Sequence, residues 1–450
     1  MRSIKSLHYF ISDDYIRMIK WSAILFLVVS ESLIIYLFAV KEYGCLGIIL
    51  IGIIFAGFLI IIYPYYGGFL VIAFVFSNFG PLIGGGIFSI LLFYVICAML
   101  ISKYLNGEKF INHQINVGIL VFTFFVLISL ITAEVKELAL EHFFQYVKCV
   151  LVFFCVINLI TKKKYIRYAY IVIVSSSAIL ALYSIHRFLT SGISGLRFSG
   201  VTRDPNYLAL ILVPTIPLAI SIIKTQKNLF IRVMMILSII FCISTILMTY
   251  SRGGVLALSV TFLWVIYDNR KKKIFSFLSI IVLIILVYLF ITEFSHYKKL
   301  IHLVSKDTSF MQRLNLYQGG LKMIIDRPIW GVGLGNFLIW SSRYAGLVTS
   351  LVAHNIFLQV GGETGVFGLM AFIFILGSAW FSIRRSQGIT LRNKDSELNF
   401  LTVGLKISLF SFLVGSMFLT SHFDYALWVL LALAIVIERI ATYTIRDVAV

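Results

Sequence analysis

Runs of about 17–25 apolar residues, almost free of charge, recur along the chain, and a run of that length is what an α-helix needs to cross the hydrocarbon core of a bilayer. In lipid the backbone must satisfy its own hydrogen bonds, so only helices and closed barrels span it. A barrel would show alternating segments of roughly ten residues, and the runs here do not alternate. The spacing predicts spans near 21–40, 43–63, 66–80, 82–102, 115–132, 143–160, 167–185, 207–223, 232–248, 253–267, 274–291, 355–381, 399–420 and 424–441. The expected fold is an all-α, polytopic membrane helix bundle of about 12–14 transmembrane helices, with one large outer loop.

A net charge of +19 would suit a nucleic-acid partner if the cations formed one surface. Instead they gather in short clusters between apolar runs, which is the topology signal of a membrane protein. The clusters are Arg2 to Lys20, Lys103 with Lys109, Lys162 to Arg167, Lys224 to Arg232, Arg270 to Lys273, Arg384 to Lys394, and Arg439 with Arg446. Together they hold 23 of the 38 Lys and Arg residues. They fall on one side of a fourteen-span layout, so both termini and these loops are expected to be cytoplasmic. The partner this implies is the lipid bilayer, with no nucleic acid. Residues 1–20 are polar and basic and do not read as a cleavable signal. The five cysteines all lie inside apolar runs, without CxxC spacing, and read as small core residues.

The layout divides the chain into an N-terminal bundle of about eleven spans (1–291), an outer loop (292–354) and C-terminal transmembrane helices (355–450). Within the loop, Phe310, Leu314, Tyr317, Leu321 and Ile324 recur at an amphipathic helical period. Ser309 with Gln312 fits a capping box, and Pro328 ends the segment. This predicts a helix over about 309–327, lying across the outer mouth of the bundle. The GVGLGN run at 331–336 has no preceding strand, so it reads as a tight turn that folds the loop back, not as a dinucleotide site.

Several arginines sit on the outer side, where short loops normally exclude them: Arg187, Arg197 and Arg203 in the 186–206 loop, and Arg252 in the 249–254 junction. Asp204 and Pro205 read as the N-cap and first residue of a helix. Guanidiniums beside a helix start make an anion site, because free N–H groups and the helix dipole add to their charge. Arg252 is the sole charge in the apolar run 233–266, a costly placement unless it meets a partner. A snorkelling arginine is the structural alternative. His354 stands just ahead of a spanning helix, where the positive helix end favours a neutral imidazole suited to general-base work. The alternative there is an interfacial helix cap. Glu363 lies two to three turns deeper, placed to orient a partner or to pair with an arginine. His422 and Asp424 are candidates to face the same cavity. No acidic residues show hard-cation spacing, so no metal site and no cofactor are expected. Arginines, one histidine and a lid-like loop suit chemistry on a membrane-anchored diphosphate from which a sugar is transferred.

The segments SRGG (251–254), R-x-x-G followed by DPNYLA (197–209), the G-x-G turn in a large outer loop, and HN at its end resemble the O-antigen ligase and O-antigen polymerase superfamily. The resemblance covers about 197–370. It implies inverting, metal-independent glycosyl transfer from an undecaprenyl-diphosphate-linked glycan donor to a hydroxyl acceptor. That acceptor would be lipid A core or a growing glycan chain, in lipopolysaccharide or other polysaccharide biosynthesis. It also implies a bacterial inner (cytoplasmic) membrane location with the active site facing the periplasm. By the resemblance, Arg197 and Arg252, with Arg203, are diphosphate-binding, His354 is the catalytic base, and Glu363 supports it. Asn355, beside His354, and Arg313, in the outer loop, are further supporting candidates.

Two other classes compete. A transporter or flippase of lipid-linked glycan should line its path with charge, and charge inside the spans is sparse, Glu31 and Lys406 being the main instances. A basic outer-surface scaffold for a glycan-assembly complex is the third reading.

Overall fold

The computed structural model describes residues 57 and 59–78, 85–190, 198–268 (except 201 and 203), 308–347 and 350–448. The expected spans 21–40 and 274–291, most of 43–63, the clusters at 1–20 and 270–273, and Glu31, Arg197 and Arg203 lie outside the described residues, as do the side chains of Ser309 and Phe310. Among the described residues every element is helical: α1 (Pro64–Ser77), α2 (Gly85–Asn106), α3 (Gln114–Thr132), α4 (Lys136–Leu159), α5 (Lys163–Thr190), α6 (Pro205–Leu212), α7 (Thr215–Thr225), α8 (Leu229–Met248), α9 (Arg252–Asp268), α10 (Thr308–Asp326), α11 (Phe337–Ala345), α12 (Ile356–Arg392), α13 (Ser396–Ser416) and α14 (Tyr425–Val448). Nine helical stretches among them are long and apolar enough to cross a membrane. The protein is an all-α polytopic membrane bundle.

Side-chain caps set many of the helix starts. His113, Asp204, Asn228, Asn355, Asp395 and Asp424 each accept a backbone N–H of the first turn that follows. The expected span at 207–223 is present as Pro205–Thr225, kinked at Pro214 into α6 and α7, since proline has no N–H to continue the helix.

At the centre stands α14. Every residue from Ala426 to Ile437 is buried, and Trp428 is fully enclosed. A helix apolar on all sides belongs inside a bundle, surrounded by other helices. It contacts α4, α12 and α13, among others. Outward-facing Ile90, Phe93, Leu120 and Ile131 are mostly exposed, which in a spanning bundle makes them lipid-facing. Inside, small residues let helices approach: a Cβ on Gly404 would lie 2.7 Å from Ser221, and Ser408 donates to the carbonyl of Pro214.

The two ends of the bundle differ in charge. At one end Lys163 bridges Asp395 and Glu397, Arg167 pairs with Glu397, and Arg385 and His113 both meet Glu438. Arg439 donates to the carbonyls of Ile157 and Ile160, at the C-terminal end of α4. This end gathers basic clusters from loops far apart in sequence. The opposite end holds the turns at 133–135, 198–204, 249–251 and 417–424 together with the polar loop.

Two helices, α10 and α11, form a cap on that opposite end. The face of α10 that packs inward is not the expected stripe. Leu316, Gly319, Gly320 and Met323 are buried, whereas Leu314 and Leu321 are exposed and Tyr317 is half-buried. Gly319 and Gly320 explain the rotation, because a Cβ on them would lie 3.0 Å from Ala345 and 3.3 Å from Phe337 of α11, closer than ordinary contact. The GVGLGN turn does more than reverse the chain. Gly331, Gly333 and Gly335 all have positive φ, and the turn is wedged between α3 and α12. Val332 N–H donates to the carbonyl of Gly362, Gly333 N–H to that of Glu363, and Leu334 N–H to that of Ser129. Asn336 clasps both backbone groups of Val135. Opposite the turn α12 breaks helical geometry at Gly365 (φ 75°), and the N–H of Val366 turns to the carbonyl of Pro328.

Candidate functional site

The site builds up from the starts of α6, α9 and α12, which meet at the capped end. Asp204 caps α6 by accepting the N–H of Asn206 at 2.8 Å, with Pro205 at the first helical position. Thr202 fixes the approach to this cap, donating to the carbonyls of Ser199 and Asp204.

Ser251 does the same for α9. Its Oγ accepts the N–H of Gly254 at 3.1 Å and donates to Oδ1 of Asn206 at 2.8 Å. The starts of α6 and α9 are therefore clipped side by side. Gly254 makes this possible, since a Cβ there would lie 2.5 Å from that of Ala209. Arg252 is the first residue of α9 and is exposed at this junction. An open cleft of about 220 Å³ beside it is lined by Asn206, Leu210, Ser251, Gly254, Gly415 and Phe418.

His354 sits in the strand of loop between the cap and α12, with φ at 48°. Asn355 follows it as the N-cap of α12, accepting from Phe357 and Leu358, and its amide reaches the carbonyl of Met417 at 3.4 Å. Tyr317 of α10 donates to the same Met417 carbonyl at 2.9 Å and lies 3.5 Å from the carbonyl of His354. The Nδ1 atom of His354 is buried without a hydrogen-bond partner. Burial pushes the imidazole below its usual range, Arg313 pushes it further, and Asp204 opposes both. The ring is neutral near pH 7, between a cation on α10 and a carboxylate on α6.

The structure thus brings His354, Asn355, Arg313 and Asp204 together, and joins them to Arg252 through Asn206 and Ser251. Arg197 and Arg203 lie outside the described residues. Glu363 meets no arginine in any described ion pair. It is fully buried, accepts the side-chain amide of Gln359 at 2.5 Å and lies 3.8 Å from His422. His422 and Asp424 are both buried, and neither lines the cleft beside Arg252. His422 is buried under the glycine turn, with its pKa pushed down to about 3 by burial and by His142. Asp424 caps α14 against the hydroxyl of Tyr207; burial raises its pKa, and Tyr207 with the first-turn amides of α14 opposes this. Among the described residues no three His, Cys, Asp or Glu side chains converge as metal ligands would. Sequence reasoning missed Asn206, Ser251 and Tyr317. The first two stand inside the quoted DPN and SRGG segments, and capping logic applied to both would have flagged them.

Residues 237–373 match the family model described as O-antigen ligase. The matched stretch contains Arg252, Arg313, His354, Asn355 and Glu363, and begins after Arg197 and Arg203. No curated protein matches the chain.

Proposed function

We propose that this chain, whose residues 237–373 match the family model described as O-antigen ligase, is a membrane glycosyltransferase that moves a glycan from an undecaprenyl-diphosphate carrier to a hydroxyl acceptor. The observation that carries this reading is the meeting of a neutral, partly buried His354 with the clipped starts of α6 and α9, where Arg252 stands. A base and an anion-binding pair of helix starts are the two parts such a reaction needs.

In the reaction the acceptor hydroxyl attacks the anomeric carbon of the donor glycan. A new carbon–oxygen bond forms on one face while the bond to the diphosphate breaks on the other, inverting the centre. The electron pair leaves with the diphosphate, whose charge Arg252, with Arg197 and Arg203, stabilises. The hydroxyl proton passes to His354, and Asp204 is the carboxylate positioned to favour the imidazolium formed. No step calls for a metal, because the guanidiniums and helix starts supply the positive charge. The acceptor is lipid A core in the ligase form or the growing glycan in the polymerase form. The capped end of the bundle faces the periplasm, and the basic end with both termini faces the cytoplasm.

The test is transfer by purified, reconstituted protein from a synthetic polyprenyl-diphosphate glycan, following glycan transfer and release of polyprenyl diphosphate together. Equal amounts of the two products are expected. Movement of intact donor across the bilayer with no release of polyprenyl diphosphate would replace this reading with a flippase.

A further inference from the structure

The buried carboxylate of Glu363 is used by no step above, yet the residue ties α12 to α3, to the glycine turn and, through Gln359, to the loop before α12. It lies on α12 two turns below His354, two residues before the break at Gly365. Its backbone carbonyl accepts the hydroxyl of Ser129 at 2.6 Å, at the end of α3, and the N–H of Gly333 at 3.3 Å in the glycine turn. The amides of Gly335 and Phe337 lie against its carboxylate. One carboxylate oxygen accepts the side-chain amide of Gln359. Gln359 in turn uses its own oxygen to hold the N–H of Ala353 at 2.9 Å, with the hydroxyl of Thr420 at 3.3 Å. Ala353 is the residue before His354.

A carboxylate inside a spanning bundle is expensive and persists where it has work. Here its bonds run outward, from the core of α12 to the backbone that presents His354. The residue before the base is held by Gln359, and Gln359 is held by Glu363.

Resting on the reading of His354 as the base, we propose that Glu363 is the positioning residue of the transfer centre, acting through Gln359 to fix the Ala353–Asn355 loop over the site. It touches neither substrate nor reacting atoms. Its carbonyl bonds serve the glycine turn and belong to the backbone, so they survive substitution of its side chain. Its carboxylate serves the amides of Gly335 and Phe337 and, through Gln359, the base.

The experiment uses the full chain in lipid nanodiscs, with hydrogen exchange read at 331–336 and 351–358 and transfer kinetics read in parallel. Glu363→Ala should raise exchange at 353–355 at least tenfold and lower the maximal rate 10–100-fold, while binding of polyprenyl diphosphate changes less than twofold. Glu363→Gln, which keeps an oxygen for Gln359, should recover most of the rate. Gln359→Leu should raise exchange at 353–355 but leave 331–336 unchanged, and it keeps the test alive if Glu363→Ala does not fold. Unaltered exchange at 353–355 in both Glu363→Ala and Gln359→Leu would overturn the proposal, as would loss of diphosphate binding in step with rate. If the wild-type chain transfers no glycan at all, the proposed function fails, whereas the exchange result still decides whether Glu363 holds the loop.

Discussion

The hydroxyl of Ser251 donates to the side-chain oxygen of Asn206 across 2.8 Å and accepts the N–H of Gly254 from the other side. One buried side chain thus caps α9 and clips it to α6, forty-five residues away. The clip sets where Arg252 stands relative to Asp204 and, beyond it, His354. Ser251→Ala should cost about 1–2 kcal/mol, the usual range for a lost cap and a buried hydrogen bond. The functional loss should exceed the structural one, with donor affinity falling several-fold as Arg252 loses its placement. Thermal unfolding in detergent and donor binding, measured on the same preparation, check this. Unchanged donor affinity would mean that the clip is structural alone.

The arginines are expected to act on the diphosphate. Arg252→Ala and Arg197→Ala should each remove most transfer while leaving expression and membrane insertion intact. Lysine at either position should rescue only in part, because an ammonium lacks the planar fork that matches phosphate oxygens. Wild-type turnover in both alanine variants would remove the diphosphate assignment. Full activity in Arg252→Lys would reduce its role to that of a point charge.

The glycine turn should be intolerant of any side chain. Gly331 has φ at 70°, and a Cβ there would fall on the backbone of Gly362 and Glu363. Gly331→Ala is therefore expected to destabilise the protein by about 2 kcal/mol or more, combining backbone strain with a clash against atoms that cannot move aside. Gly346→Ala is the matched control, since it shares a positive φ but has open space around it. A lower melting temperature in the first and a smaller shift in the second is the expected pattern.

Much of this architecture was legible before any coordinates. Apolar run length gave the nine spans shown among the described residues, because the bilayer thickness is a fixed ruler. Asp204 and Pro205 announced a helix start by their chemistry, whereas the cap of α12 is Asn355, one residue past His354, the cap candidate in the sequence. What was hidden depended on contacts between distant segments. The inward face of α10 is chosen by Gly319 and Gly320 meeting α11, a helix that no periodicity marked. The partner of Glu363 is a glutamine one turn back, not an arginine. The glycine run advertised a turn, but its place between α3 and α12 follows from Ser129 and Glu363, which lie far from it in sequence.

Topology can be checked without any substrate. The basic loops meet at one end of the bundle, and α10 lies at the other. A reporter fused after residue 320 should read as external and one fused after residue 272 as cytoplasmic, since short loops rich in Lys and Arg stay inside. An internal reading at 320 would place His354 and Arg252 on the cytoplasmic face and remove the periplasmic site.

His354 gives the sharpest test of mechanism. His354→Ala should lower the rate by about 10²–10⁴, the range for loss of a general base, with donor affinity nearly unchanged. His354→Gln should stay impaired, because an amide cannot take the acceptor's proton. The pH profile adds a signed prediction. Burial and Arg313 both depress the imidazole below its usual 6.5, so the wild-type rate should hold into mildly acidic solution and fall only as pH drops through the lowered value. Arg313→Gln removes a cation that disfavours the imidazolium, so the ring's pKa rises and the acidic limb moves to higher pH. Asp204→Asn removes the opposing carboxylate and moves the limb to lower pH. Opposite shifts from the two variants would tie the limb to His354. An acidic limb that neither variant moves would assign it to another group, and a wild-type rate in His354→Gln would show that His354 only positions the acceptor.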